Sequence, residues 1–292
     1  MNVRLIVNPS AGGGRAGRAI GDVQNELTRL GLEHRTELTR SLEHARELAQ
    51  AAAAAGEAAV ALGGDGLVGA VAGALSEVDG VLGVLPGGRG NDLARVLGIP
   101  LTPVPACEVL RSGVIQSLDL GDVNGRTFIG IASCGFDSVA NRIANETKLV
   151  RGNFVYAYGA LRALVGWKPA TFTIEPEDGE ARTMTGYTVA AANSRAYGGG
   201  MMMAPDASLQ DGQLDIVIVG EVPRHRFLRL LPTVFSGQHI RQPNVEVIRT
   251  ARARVSASRP FTMYADGDPI AQLPVTVAAR AGAVRAIIPP PG

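Results

Sequence analysis

The first third of the chain alternates short apolar runs with longer segments of helical period. VRLIV (residues 3–7), AAVAL (58–62) and VLGVL (81–85) are apolar at nearly every position, the pattern of parallel strands covered on both faces. Helical periodicity runs from about Arg15 to Leu30, from Leu42 to about Gly56 behind a capping Ser41, and from Leu67 to Leu75. His34 to Thr39 has a strand pattern, and a helix of about Pro105 to Arg111 closes the region. Strands alternating with helices predict an α/β domain with a doubly wound, mainly parallel sheet, which binds ligands at the carboxyl ends of its strands.

The pattern changes near Val114. IQSLDLGDVNGRTFIGIA (115–132) reads as two strands joined by an Asn124-Gly125 hairpin turn. A helical stretch that includes FVYAYGALRALVGW (154–167) follows. Beyond it short strands dominate: ATFTIEP, the run up to AAANS, LDIVIVG, NVEVIRT, ARVSAS, FTMYADG, PVTVAA and AVRAIIP, interrupted by one helix of about Arg224 to Phe235. Such a series predicts an antiparallel sandwich or open barrel. The boundary falls within 113–121, giving domains of 1–118 and 119–292, with the last strand free to return to the first domain. Pro289 to Gly292 reads as a loose tail.

Composition narrows the chemistry. The 292 residues supply ample core for two domains. A net charge of +1 and 4% aromatic content argue against a nucleic-acid partner. Cys107 and Cys134 lack metal-ligand spacing, which fits a reduced, cytoplasmic setting. The chain opens directly on a strand, so no signal peptide is expected. No uncharged apolar run reaches about 20 residues, so no membrane span is expected either. Lys148 and Lys168 are the only lysines, which excludes a phosphate-binding P-loop lysine from the first domain. Phosphates bound there must be held by backbone amides, arginine and metal.

Two glycine-rich turns dominate that domain. Gly63-Gly64-Asp65-Gly66 follows AAVAL, and Pro86-Gly87-Gly88-Arg89-Gly90-Asn91-Asp92 follows VLGVL. Strand, tight glycine turn and helix N-terminus together present N–H groups to an anion, without Cβ atoms in the way. The carboxylates of Asp65 and Asp92 would repel bare phosphate. A bridging Mg2+ removes the conflict, because it takes oxygen ligands from carboxylates and nucleotide phosphates alike. The plainer alternative is that the turns are topology and that Asp92 caps the helix after it. Asn8-Pro9-Ser10-Ala11-Gly12 ends the first strand in a third glycine-rich turn, and Thr39 ends another strand on the same side.

Two spots stand out in the second half. Gly198 to Gly200 allow close backbone approach, and Asp206, Asp211 and Asp215 follow within a short span. There Asp211-Gly212 reads either as a cation-binding turn, with a carboxylate and exposed carbonyls, or as an ordinary hairpin. Met201 to Met203 form an adaptable apolar wall or simply fill core. Asp266-Gly267-Asp268 sets two carboxylates about a tight turn, either a common hairpin or a partner for the first domain's turns across a cleft.

Taken in order, NPSAG, GGDG before a helix, PGGRGNDLARVLGIP, APDASLQDGQLDIVIV and the late DGDP resemble the bacterial diacylglycerol kinase-like lipid kinases, relatives of sphingosine and ceramide kinases. The resemblance implies a nucleotide-binding α/β domain, a mainly antiparallel β-sandwich C-terminal domain and an active site in the cleft between them. It places ATP against Asn8, Pro9, Ser10, Ala11, Gly12, Thr39 and Gly63 to Ala70, including Gly64, Asp65, Gly66 and Leu67, with Arg89 and Asn91 in the same pocket. Asp65 and Asp92 would act in the Mg2+ and water network. A structural metal maps onto Asp211 with the carbonyls of Ser208 and Gln213, and Asp266 and Asp268 map as catalytic carboxylates, either one the base. The substrate implied is a lipid at a membrane surface, diacylglycerol by default, reached by a cytoplasmic protein at the inner membrane face. FVYAYGALRALVGW and FLRLLPTVF, with Arg162 and Arg229 among apolar residues, read either as interface contacts or as core. Exposed strand edges are compatible with a homodimer.

The sequence departs from the family pattern at Leu67 and Arg89, where threonines are usual, at Ala70 for a glutamate, and at Asp268 for a glutamate. No carboxylate of the catalytic set is lost. Arg89 offers a fork of donors for phosphate. Two other readings stay open: a GGDG-type kinase acting on NAD, and a regulatory nucleotide- or lipid-binding protein with little turnover.

Overall fold

In a computed structural model, described for all residues except 137, 140–142, 144–161, 165, 291 and 292, the chain folds around one continuous fifteen-stranded sheet. The helical stretch read over 154–167 lies largely outside the described residues. Strands β1 (Val3–Val7), β2 (His34–Leu38), β3 (Ala58–Gly63) and β4 (Val81–Pro86) pair in parallel in the order β2-β1-β3-β4. Every residue of β1 and β3 is buried, including Arg4. The Arg4 guanidinium ends on Glu57 at 2.9 Å, so the charge that interrupts the first apolar run is paired rather than stranded.

Helix α3 (Leu42–Ala54) begins where expected, with the Ser41 hydroxyl accepting the His44 N–H at 3.1 Å. Its buried stripe of Ala45, Leu48, Ala49 and Ala52 lets α4 (Asp65–Leu75) pack close. Helix α4 is buried along most of its length. The helix after β1 becomes regular at about Arg15, where the sequence reading had it start, and is interrupted once at Ala19. Gly12, Gly13 and Gly14 sit at φ of 62°, 71° and 84°, a left-handed run open essentially only to glycine. Regular helix then runs to Arg18, the end of α1 (Ala11–Arg18), and resumes as α2 (Ile20–Arg29).

The hairpin read at Asn124-Gly125 joins β5 (Val114–Val123) to β6 (Arg126–Phe128), with both turn residues at positive φ. The remaining sheet is antiparallel and built from β7 (Ile131–Gly135), β8 (Ala170–Pro176), β9 (Arg182–Ala192), β10 (Leu214–Gly220), β11 (Val245–Thr250), β12 (Arg252–Ala257), β13 (Thr262–Ala265) and β14 (Asp268–Gln272). Its core of Phe136, Trp167, Phe172, Tyr187, Phe227 and Phe261 is separate from that of the first domain.

Two sequence expectations change here. PVTVAA and AVRAIIP are one strand, β15 (Val275–Ile288), whose register slips between Arg280 and Val284 around Gly282 at φ 58°. This strand pairs antiparallel with β12 and β5 and parallel with β4, through Arg285–Val81 and Ala286–Leu82, so it ties the two halves into one sheet. The helix expected over Arg224 to Phe235 stops at Leu230, and tighter 3₁₀ turns continue over Leu231–Ser236 and Gln238–Arg241. Pro232, which cannot donate to an α-helical carbonyl, sits at the switch.

Candidate active site

Parallel strands that start at the same level also end at the same level, so the turns after β1, β3 and β4 meet on one edge. The Asn8 N–H donates to the Leu62 carbonyl at 3.1 Å, and the Gly87 N–H donates to that of Gly63 at 2.7 Å. Arg15 reaches from the first turn to the Gly88 carbonyl at 3.1 Å. A Cβ at Gly12 would run into the Gly87 carbonyl oxygen, and one at Gly64 would lie 3.3 Å from the Gly88 Cα. The three turns therefore pack backbone against backbone, which only glycine permits. Thr39 stands beside them, its hydroxyl on the Val7 carbonyl at 3.1 Å. Asn8 accepts the Ser10 N–H and hydroxyl at 3.2 and 2.8 Å, which fixes the first turn around Pro9 and Ala11.

The acidic residues brace this cluster. The Asp65 carboxylate accepts the N–H groups of Asn91 at 2.9 Å and Asp92 at 2.7 Å. Asn91 is buried in the left-handed region at φ 52°, and its amide closes the second turn on both the N–H and the carbonyl of Gly88. Its side chain is thus spent within the turn. Asp92 does not cap its own helix, Asp92–Val96. Both its oxygens instead accept the Gly199 N–H at 3.0 Å, across to the loop that follows β9. Arg195 reinforces that junction by donating to the Val96 carbonyl at 2.8 Å. Gly66 lies in the first turn of α4, half-buried, while Arg89 points out at the rim, exposed. Leu67 and Ala70 are buried in the core, so two of the departures from the family pattern fall on packing positions.

Asp266 joins from the second half. Its residue sits in the left-handed region at φ 50°, and its carboxylate turns inward to accept the N–H groups of Ile129, Gly130 and Ile131 at 2.8, 2.9 and 3.2 Å. A Cβ at Gly69, one turn along α4 from Asp65, would touch it at 3.5 Å. Asp266 as a residue is half-buried, yet enclosure of its carboxylate governs its titration. Burial pushes it up to about 6, the three N–H bonds oppose this, and the charge of Asp65 adds to it. Asp92 is likewise raised, first by burial, against the Gly199 N–H and with Asp65. Asp65 is thus the shared electrostatic neighbour of a carboxylate from each half. Asp268 lies two residues beyond Asp266, exposed at the start of β14.

The 206–215 span separates by role. Asp215 is buried and held by Arg249 at 2.9 Å, so it is a structural ion pair. Asp211 is exposed and accepts the Gln213 N–H at 3.1 Å, and the Ser208 hydroxyl accepts the Gln210 N–H at 3.2 Å. What holds this loop is Asp119, which the sequence reading passed over inside a strand. Buried in β5, it accepts the Gly212 and Gly282 N–H groups, each at 2.7 Å, and donates its own N–H to the Leu209 carbonyl at 2.6 Å. A carboxylate flanked by Leu118 and Leu120 within a strand was the available signal. Among the described residues, no three acidic, histidine or cysteine side chains are placed to hold a metal by themselves. No described helix is long and apolar enough to cross a membrane.

Comparison with known proteins identifies both halves of the chain. Residues 2–123 match the model of the diacylglycerol kinase catalytic domain, and residues 130–288 that of the YegS C-terminal NAD kinase beta sandwich-like domain. A diacylglycerol kinase of Mycobacterium tuberculosis is 34% identical over 231 residues, 76% of this chain and 74% of that one. A crystal structure of a putative diacylglycerol kinase from Bacillus anthracis superposes with a TM-score of 0.81 at 20% identity, covering 99% of this chain and 97% of that chain. An NAD kinase of Archaeoglobus fulgidus, solved with ATP, shares the fold at a TM-score of 0.53 and 13% identity over 98% of this chain and 92% of that one. With both halves matched and a relative above 30% identity across three quarters of its length, the chain belongs to the diacylglycerol kinase-like lipid kinase family.

Proposed function

We propose that this protein transfers the γ-phosphate of ATP, in the presence of Mg2+, to the hydroxyl of a lipid acceptor, with diacylglycerol the leading candidate and phosphatidic acid the product. The observation that carries the reading is the convergence of Asp65, Asp92 and Asp266 on one edge where three glycine turns expose their backbone. The residues bring hard oxygen donors and amide donors together, which suits a divalent cation shared with phosphate oxygens.

In this reading the glycine-rich turns of residues 8–12 and 63–67, with Thr39 and Asn91 shaping the pocket, receive the triphosphate. Arg89, exposed at the rim, meets its outer charge. Asp65 and Asp92 would hold Mg2+ with phosphate and water oxygens, and the ion would neutralise charge on the transferring group. The Asp266 carboxylate accepts three backbone N–H groups, so it fixes the turn. Asp268, exposed one residue past Gly267, takes the acceptor proton. The Ser208–Gln213 loop, with Asp211, would carry a structural cation that stiffens the second half.

Labelled ATP incubated with a total lipid extract, and separately with NAD, tests the proposal after thin-layer separation. Label in phosphatidic acid or another phospholipid supports it. Label only in NADP would transfer the chain to the alternative suggested by its NAD kinase-like fold, and ATP binding without any product would favour a regulatory role.

A further inference from the structure

A kinase for a membrane lipid has to bring its cleft to a bilayer, and one surface of this chain is built for that. The segment Arg224–Arg241, RHRFLRLLPTVFSGQHIR, contains four arginines, two histidines and no acidic residue, in a chain whose net charge is only +1. Phe227 turns into the core, but Leu228 is 40% exposed and Phe235 61%, the most exposed large apolar side chain among the described residues. Arg224 is occupied by the Trp167 carbonyl at 2.9 Å. Arg226, Arg229 and Arg241 are exposed, and their guanidinium groups have no hydrogen-bond or ion-pair partner among the described residues. Isolated exposed apolar residues are ordinary. Exposed aromatic and aliphatic groups interleaved with unpaired arginines are the composition of an interfacial segment.

Its position matters as much as its composition. The Met202 N–H donates to the Val234 carbonyl at 2.9 Å, and the buried ring of His239 bonds the Met203 carbonyl through Nε2 at 3.0 Å. Gly237 lies against Pro205 and Met202. The segment is thus fastened to the loop whose Gly199 N–H bonds Asp92. A surface that settles on this segment is one loop away from the carboxylates of the cleft.

We infer that Arg224–Arg241 is a docking face for an anionic lipid bilayer, with Leu228 and Phe235 entering the interface and Arg226, Arg229 and Arg241 meeting lipid phosphates. The inference rests on the lipid-kinase reading for its purpose but is read out without it. Cosedimentation of the full chain with vesicles of phosphatidylcholine alone or mixed with phosphatidylglycerol, in the absence of ATP, measures docking directly. Binding is expected to need the anionic lipid and to weaken steeply with salt. Replacing Arg226, Arg229 and Arg241 together by Gln is expected to lower it on the order of 100-fold, and Phe235→Ser about tenfold. Phosphorylation of a short-chain, monomeric diacylglycerol is expected to be unchanged in both variants. If no lipid is phosphorylated in any form while vesicle binding behaves as stated, the kinase reading fails and the docking face stands. Equal binding to neutral and anionic vesicles, no loss in the variants, or variant-sensitive self-association without vesicle binding would each overturn the inference, the last assigning the patch to a second copy of the chain.

Discussion

The carboxylate of Asp65 holds the backbone of Asp92. The first glycine turn thereby fixes the second through two N–H bonds, at 2.9 Å from Asn91 and 2.7 Å from Asp92. Asp92 in turn grips Gly199 at 3.0 Å, so a chain of carboxylate-to-amide bonds runs from one domain's loops to the other's. Each link places a negative charge where phosphates would come, and each also uses that charge to set the geometry.

Asp65→Asn replaces one accepting oxygen by a donor that faces an N–H. Turnover is expected to fall by at least about 100-fold, because positioning errors of this kind reach that scale. Thermal unfolding should show a stability loss of about 1–3 kcal/mol from the unpaired donor. Turnover like that of the parent protein would contradict the assignment.

Gly90→Ala is a purely steric probe. The new Cβ would stand 2.8 Å from the Asp65 Oδ2 and 3.1 Å from that of Asp92, so both carboxylates must move. The fold should survive, since Gly90 is not at positive φ. Steady-state kinetics should show kcat reduced by roughly tenfold to 100-fold.

Asp268→Asn and Asp266→Asn separate base from brace. The first should abolish transfer with an unchanged melting temperature, because Asp268 is exposed. The second disturbs a carboxylate bonded to Ile129, Gly130 and Ile131, and should lose both transfer and about 1–3 kcal/mol of stability. Transfer retained by Asp268→Asn would move the base to another group.

Asp119→Ala leaves the N–H groups of Gly212 and Gly282 without their acceptor. Both bonds are only partly buried, so denaturant unfolding should register a loss of about 1–3 kcal/mol, below twice the cost of a fully buried unsatisfied group. Proteolysis should open the 208–213 loop first. Asp119→Asn, which keeps one oxygen, should cost less.

Burial lowers the pKa of His239 below its ordinary 6.5, with bonds to Met203 and Thr233 opposing. The native state therefore binds the proton less well than the unfolded chain. The stability it contributes is complete above pH 6.5 and is lost as pH falls through the lowered native value. Hydrogen-exchange protection of residues 231–241, measured relative to the intrinsic exchange rate at each pH, should be lower at pH 5.5 than at pH 7.5, and His239→Gln should flatten that dependence.

Local pattern sufficed for much of this protein. The apolar runs after Asn2, interrupted only by Arg4, and before Gly63 and Pro86 read as buried parallel strands, and the glycine clusters at their ends as tight turns. Asn124-Gly125 specified its hairpin because both residues tolerate positive φ. The ordered motifs named the family, since their chemistry is written in contiguous residues. Pairing over long separations was left to the tertiary structure. That β15 runs unbroken from the sandwich to β4, that Asp92 turns to Gly199 rather than to its own helix, and that Asp119 governs a loop about ninety residues away follow from which backbone donors lie opposite. The same holds for Phe227 and Phe235, two phenylalanines in one apolar stretch. One is buried and the other exposed because the helix ends at Leu230 and the chain turns across the Met202–Pro205 loop. Periodicity records the preference of each residue for water or core, whereas only packing assigns the face it finally shows.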